Sequence, residues 1–336
     1  MNCNHPLKEA PLMLRRAQHE RETACAIWHS AHPELVEGRA ECSFPRAVNR
    51  CAAAVLGTVL ALAAVSPTLA APVATTEVVA ARQAAVPKTG DAAAWKVVPV
   101  YTGPLIVQDM VEPRLMEPST SQVQVQAVTD GTRIAFRLQW ADATKDELPG
   151  IARYSDACAV QLPVTTGPDV PAPQMGEAQR PVEITYWRAF WQGAVDGRPD
   201  TIKALYPGAA VDHYPFEAAS LPPGSEAQRE MAQRYAPARA LGNDMEGPRD
   251  RPVQDLIAEG PSTIRPAPET RSEGRGVRTD DGWVVVLSRP LPKGVATGSR
   301  TQVAFAVWQG SHQEAGARKM RSPWVPLLIE GAAAGK

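Results

Sequence analysis

The stretch 122–140 leaves the chain little choice of local structure. Gln122-Val123-Gln124-Val125-Gln126-Ala127-Val128 alternates polar and apolar residues, Thr129-Asp130-Gly131-Thr132 follows, and Ile134-Ala135-Phe136-Arg137-Leu138-Gln139-Trp140 alternates again. A period of two puts Ile134, Phe136, Leu138 and Trp140 on one strand face, and an Asp-Gly pair between two such runs signals a hairpin turn. Further strands are expected at 157–164, 182–190, 283–288, 302–308 and 324–329, with Asp281-Gly282 as a second turn. The 32 prolines and 24 glycines argue against a helical bundle and for short strands joined by irregular loops. The expected fold class is all-β: a single antiparallel β-sandwich with long irregular loops and a few short helices.

Between the strand ending near Trp191 and the one opening at Trp283 lies a long stretch with repeated prolines and little periodicity. It is too long for an ordinary connection inside a compact domain. The best helix candidate in it is 225–235. Two readings fit the rest: an ordered segment that wraps the sandwich or meets a partner, or a disordered insertion. Tyr206, Tyr214, Phe216 and Tyr235 favour the first, being poor residues to leave in water.

The first part of the chain does not read like the rest. Arg46 and Arg50 flank a short basic stretch, residues 51–65 form an unbroken apolar and small-residue run, and Pro67-Thr68-Leu69-Ala70 has the pattern that signal peptidase accepts. Residues 46–70 therefore read as a Sec-type signal peptide of a periplasmic, soluble protein. The apolar run falls short of the roughly 20 residues that cross a bilayer, so no membrane span is expected after signal cleavage. Residues 1–45 read as a non-native or atypical N-terminal extension: either translation starts nearer Arg46, or the segment is a real regulatory region or an unusually long n-region. The scatter of Cys3, His5, Cys25, His29, His32 and Cys42 matches no tight zinc spacing. Residues 71–95 are expected to be a flexible lead-in, and 96–333 the sandwich domain.

Cleavage would leave Cys158 alone, and one cysteine forms no internal disulfide. Cys158, Val160 and Leu162 share a strand face, so a buried structural thiol is the plain reading, against an iron ligand or a reactive cysteine. A formal charge of −1 and 44% hydrophobic content give no electrostatic case for nucleic acid or an anionic membrane.

Two loops carry candidate metal ligands. Pro173-Gln174-Met175-Gly176-Glu177 runs into the strand-like 181–187, and Gly316-Ala317-Arg318-Lys319 is framed by 303–308 and by Ser322-Pro323-Trp324. Each sets one potential iron donor, the Met175 thioether or the Lys319 amine, beside an aromatic-rich strand. Cys-x-x-Cys-His is missing, so any haem is held noncovalently. Thioether sulfur is soft and favours ferrous iron, whereas an amine ligates only after losing its proton. A haem with both axial positions filled carries electrons and leaves no position for substrate. Arg318 and Arg321 could pair with propionates, and Trp187, Trp308 and Phe305 could pack on the macrocycle. Each has an ordinary reading too: a loop methionine as core filler, a loop lysine as solvated, the arginines and aromatics as surface or core. His312 rivals Lys319, imidazole being the commoner haem ligand.

The blocks Asp156-Ala157-Cys158-Ala159-Val160-Gln161-Leu162-Pro163, Pro173-Gln174-Met175-Gly176, Ile184-Thr185-Tyr186-Trp187-Arg188-Ala189, Val253-Gln254-Asp255-Leu256-Ile257-Ala258-Glu259-Gly260, Gly282-Trp283-Val284-Val285-Val286-Leu287-Ser288-Arg289-Pro290-Leu291, and Ala304-Phe305-Ala306-Val307-Trp308-Gln309-Gly310 through Lys319 occur in order. Together they resemble the haem b (gamma) subunit of the type II dimethyl sulfoxide reductase family, as in the ethylbenzene, dimethyl sulfide, selenate and chlorate molybdoenzymes. The resemblance spans about 97–330. It implies a periplasmic β-sandwich that binds one noncovalent haem b between a methionine and a lysine, here Met175 and Lys319. It also implies a non-catalytic electron-transfer subunit of a heterotrimer, relaying electrons between an iron–sulfur subunit, partnered by a molybdenum catalytic subunit, and a soluble cytochrome or similar carrier. Two departures touch the lysine: residues 311–315 bring in His312, and Met320 follows Lys319 directly. The alternative is an extracellular β-sandwich module that binds a sugar or other small ligand through its aromatic loops, without haem. The chain has no Gly-x-Ser-x-Gly, no His-Glu-x-x-His and no persuasive carboxylate pair, so catalysis by it alone is not expected.

Overall fold

The computed structural model describes residues 75–331 except 149, 151, 165–168, 200–204, 211–220, 223–224 and 236–248. The signal peptide expected at 46–70, the extension 1–45, Tyr214 and Phe216 lie outside the described residues. All described residues belong to one of two compact units, Thr68–Lys336.

The strands are β1 (Val78–Arg82), β2 (Tyr101–Pro104), β3 (Ile106–Val107), β4 (Gln122–Thr129), β5 (Arg133–Ala141), β6 (Ala157–Pro163), β7 (Val182–Arg188), β8 (Val253–Ala258), β9 (Arg265–Pro266), β10 (Glu273–Arg278), β11 (Gly282–Pro290), β12 (Arg300–Trp308), β13 (Met320–Arg321) and β14 (Val325–Ile329). They pair in the order β10-β11-β5-β4-β1-β14-β12-β6-β7-β8-β9, with β2 added to β4 and the short β13 and β3 added beyond β12. The hairpin read from 122–140 is β4–β5, with Thr129 opposite Ile134. Its turn is held by the Asp130 carboxylate, which accepts N–H bonds from Thr132 (2.9 Å) and Arg133 (2.8 Å). Gly131 takes the left-handed φ of +91° that such a turn requires.

Strand β12 belongs to two layers. Arg300–Val303 pair with β14, and Ala304–Trp308 pair with β6. The inner faces of the two layers share one core in which Phe136 meets Phe305 edge-on at 6.3 Å, Trp140 meets Trp187 at 6.4 Å and Trp187 meets Trp283 at 5.1 Å. These rings are all buried, each worth about 1.5–3 kcal/mol or more relative to exposure. Strand β10 passes so close to this stack that a Cβ on Gly276 would overlap the Trp187 indole. The architecture is an all-β sandwich with irregular loops and short helices, as the sequence indicates.

Three expectations are corrected. Residues 71–95 are not a lead-in throughout: Val78–Arg82 is a central strand, parallel to both β14 and β4, with Val78 and Ala80 buried. Val79 and Ala81, on its half-buried face, are apolar too, so Val78-Val79-Ala80-Ala81 gives no period-two signal. The sandwich is antiparallel except at this strand. The run 182–190 stops at Arg188, and Ala189–Val195 is a helix, α1, started by Ala189 N–H donating to the Asp156 carbonyl (2.8 Å) and Phe190 N–H to Ser155 Oγ (2.9 Å). The long stretch before Trp283 contributes β8 and β10 to the sheets. The helix expected at 225–235 is present as α2 (Glu226–Tyr235), and Ser225 Oγ accepts Gln228 N–H at its start (3.2 Å). Among the described residues no helix is long and apolar enough to cross a membrane.

Candidate functional site

Strand β6 is buried along its whole length, on both faces. Its inner face, with Cys158, Val160 and Leu162, enters the sandwich core, and burial pushes the Cys158 thiol well above its ordinary range. Its outer face starts a second apolar surface. The registers of β12 with β6 and of β6 with β7 line up Ala304, Gln161 and Ile184 in one row, and Ala306, Ala159 and Tyr186 in the next. Ala157, Ala159 and Ala306, with Ala304 on the same strand face by register, thus make a floor of small side chains on the outer face, packed by Ile184, Leu256, Trp308, Tyr186 and Trp324.

Both candidate donors stand at this floor. Met175 packs on the cluster from a loop with an unusual backbone: φ is +71° at Met175 and +81° at Gly176. Left-handed conformation at a methionine costs of order 1 kcal/mol and persists only when surroundings over-determine it. Here they do. The Met175 carbonyl accepts Gly260 N–H (2.8 Å), Gln161 Nε2 donates to the Pro173 carbonyl (3.0 Å), and Trp324 Nε1 donates to the Pro171 carbonyl (2.6 Å). Glu177 accepts Ala172 N–H at 2.9 Å and pairs with Arg180. Gly176 has no room for a side chain: a Cβ would lie 2.9 Å from the Arg180 carbonyl oxygen and 3.0 Å from that of Ala258.

Lys319 approaches the floor at Trp308. Strand β13 pairs Arg321 with Ala306 and Met320 with Val307, so Met320 enters the core while Arg321 faces outward. One residue earlier, Lys319 sets its Nζ 5.2 Å from the Trp308 ring centroid. It keeps some exposed surface, yet protein crowds it enough that burial, reinforced by Arg321, pushes its amine down to about 8. The loop before it is pinned at each end. Gly310 N–H donates to Asp156 (2.8 Å), Gln309 N–H to Glu314 (2.9 Å), and Trp308 Nε1 to the Gly316 carbonyl (3.0 Å). Gln108 donates its Nε2 to the Ala317 carbonyl and its N–H to the Lys319 carbonyl, both at 3.0 Å. Asp156 also accepts Trp283 Nε1 (2.9 Å) and Asp146 N–H (2.8 Å). Burial nonetheless pushes its carboxyl up to about 7, with Asp142 adding to the effect and the three donors opposing it.

The other sequence candidates separate. His312 is exposed, in a 3-10 turn (Gly310–His312). Trp187 and Phe305 point into the sandwich core, on the face opposite Met175, so Trp308 alone of the three aromatics borders the floor. Arg318 and Arg321 do flank Lys319, and each has a buried Nε with no hydrogen-bond partner. Gln161, Gln108 and Trp324, which hold the two loops, were not singled out by sequence. Gln161 had a readable signal, a polar residue inside the otherwise apolar 157–163. Among the described residues no group of three or more His, Cys, Asp and Glu is placed to hold a metal ion.

The sequence profile of the ethylbenzene dehydrogenase family matches residues 92–320. A protein provisionally named a respiratory nitrate reductase haem subunit, from Haloferax mediterranei, is 26% identical over 245 residues, covering 71% of this chain and 67% of that one. The chlorate reductase subunit gamma of Ideonella dechloratans is 26% identical over 203 residues, 58% of this chain and 59% of its own length. Among solved structures, a family 9 carbohydrate-binding module from Caldicellulosiruptor kristjanssonii is 7% identical, with a TM-score of 0.37 over 76% of this chain and 95% of the module. That degree of likeness carries no functional argument.

Proposed function

Since this chain belongs to the ethylbenzene dehydrogenase family, within the haem subunits of type II dimethyl sulfoxide reductases, we propose that it binds one haem b noncovalently on the outer alanine floor, between Met175 and Lys319, and works as a non-catalytic electron-transfer subunit. The observation that carries this reading is the convergence of a thioether and an amine, on loops from distant parts of the sequence, upon one apolar surface.

The residues present fit the group. A porphyrin is planar and apolar with an anionic edge. The alanines are small side chains covered by Met175, Tyr186, Trp308 and Trp324, and Trp308 and Tyr186 offer rings at the border. The unpartnered Nε atoms of Arg318 and Arg321 are the kind of buried donors that carboxylates satisfy. When bound, the haem supplies a one-electron redox centre. Lys319 must give up its proton to ligate, and its crowded surroundings already lower the cost of doing so. The backbone from which the Met175 thioether extends is held in a left-handed conformation by three braces to the carbonyls of Pro171, Pro173 and Met175. Held by both Met175 and Lys319, the group would supply a centre suited to electron relay and not to substrate binding.

The same reading makes this chain one subunit of a periplasmic heterotrimer, receiving or delivering electrons through an iron–sulfur subunit whose own partner carries molybdenum. A soluble cytochrome or similar carrier takes the other end. The test is the absorption spectrum of the purified chain, oxidised and reduced, with a pyridine haemochrome assay for b-type haem. Met175→Ala and Lys319→Ala should each abolish or shift the low-spin signature, and His312→Ala should leave it unchanged. Loss on His312→Ala with retention on Lys319→Ala would move the nitrogen ligand, and a chain that stays colourless after reconstitution would overturn the reading.

A further inference from the structure

Resting on the electron-transfer reading, we infer that the segment after β3 is the docking surface for a small, lysine-rimmed electron-carrier protein. Three large apolar side chains stand out of the protein here: Met116 at 72% exposure, Met110 at 62% and Ile106 at 48%. Exposed apolar groups clustered on one short segment mark interaction sites far more often than singly scattered ones do. Asp109, Glu112 and Glu117, all exposed, lie among them, against Arg114, which pairs with Glu112 at 2.8 Å, and the more buried Arg321, which interacts with Asp109; three carboxylates against two arginines leave one net negative charge. The surface is thus an apolar centre within a net acidic rim.

Its position relative to the candidate site distinguishes it from an ordinary loop. Ile106 pairs directly with Arg321, which in turn pairs with Ala306 of the floor. Gln108 N–H donates to the carbonyl of Lys319 itself, so one hydrogen bond joins the backbone of the candidate iron ligand to the residue two before Met110. Arg321 Nη2 lies 3.9 Å from the Met110 sulfur. A carrier seated on Ile106, Met110 and Met116 is therefore coupled to the Lys319 side of the floor through a short path of bonds. The patch is small, which suits the transient, low-area encounters of redox partners and not a permanent subunit contact. Its acidic rim favours a carrier whose cofactor edge is ringed by lysines, because complementary charge raises the encounter rate. One electron passes per encounter: one partner's iron is oxidised, the other's is reduced, and no bond or proton moves.

The experiment mixes reduced, haem-bearing chain with a ferric, lysine-rimmed c-type cytochrome in stopped flow and follows the second-order rate against ionic strength. Asp109→Lys with Glu117→Lys should slow the reaction about tenfold or more at low salt, converging with the unmodified protein at high salt. The spectrum of the haem should not move; because Asp109 acts electrostatically on Arg321, the midpoint potential of each variant is measured and rates are compared at equal driving force. Glu273→Lys, on edge strand β10 at the far end of the strand order, serves as the control and should have little effect. Equal slowing by both variants, or by neither, would overturn the docking surface while leaving the haem reading intact. So would protection of Met110 and Met116 from oxidation by a co-purified iron–sulfur subunit, which would assign the patch to that partner. A colourless chain that still bound the cytochrome, with affinity lost in the Asp109→Lys, Glu117→Lys variant by calorimetry, would uphold the surface and sink the haem reading.

Discussion

Lys319→Leu should make the haem-free protein more stable at neutral pH and incapable of forming the proposed haem centre. Burial, with Arg321 nearby, takes the Lys319 amine from its ordinary 10.5 to about 8. If the group is unperturbed when unfolded, that distance corresponds to roughly 3 kcal/mol against the folded, charged form. The side chain keeps some exposure, and the Trp308 face 5.2 Å from Nζ returns about 0.5–1 kcal/mol, so the expected gain for Lys319→Leu is about 1–2 kcal/mol at pH 7. The sign fixes the pH window. Between about 8 and 10.5 the unfolded chain holds the proton that the folded chain has released, so the penalty on the native protein is full below pH 8, shrinks as pH rises and is gone above 10.5. Urea unfolding of the haem-free protein and the variant at pH 7, 8, 9 and 10 measures it. A variant no more stable than the parent at pH 7, or a difference that does not change with pH, would refute the reasoning.

Gly176→Ala forces a side chain into a left-handed backbone position, between two carbonyl oxygens at 2.9 and 3.0 Å, and should cost about 1–3 kcal/mol and loosen Met175; thermal unfolding and haem retention report the two effects. Gly276→Ala, which overlaps the Trp187 indole, should destabilise by at least about 1–3 kcal/mol, read as a lower urea midpoint, because the ring is wedged against Trp140 and Trp283. The Asp156 carboxyl keeps its proton in the folded protein up to about 7, so its contribution is full below pH 4 and lost as pH rises through 7. Asp156→Asn should flatten that decline, as urea midpoints at pH 5 and 8.5 would show.

Much of the fold was legible because its signals are local. Alternation plus Asp130-Gly131 specifies β4–β5, and the apolar run of β6 marks a strand covered on both sides. Strand β1 was hidden because its apolar residues do not alternate and follow directly on a leader-like stretch. Helix α1 was hidden because Ala189-Phe190-Trp191 continues an apolar strand, and only Asp156 and Ser155, far earlier in the chain, start the turn. The proposed pairing of Met175 with Lys319 came from family resemblance, because the nearness of both loops to one floor depends on three registers among four strands that no local pattern encodes. Parity was readable yet misapplied: Phe305 and Trp308 are three apart on one strand, an odd spacing, and so face opposite sides.

The place of β1 between β4 and β14 governs how the chain is completed. Val78 pairs with Leu327, and Ala80 with Ala127 on the other side. A chain that has folded β1 onto β4 therefore holds an open edge along β1 until residues 325–329 are in place. Contacts so distant along the chain close slowly. Until they do, the bare edge invites pairing with other molecules, which sets a premium on chaperone cover before β14 arrives.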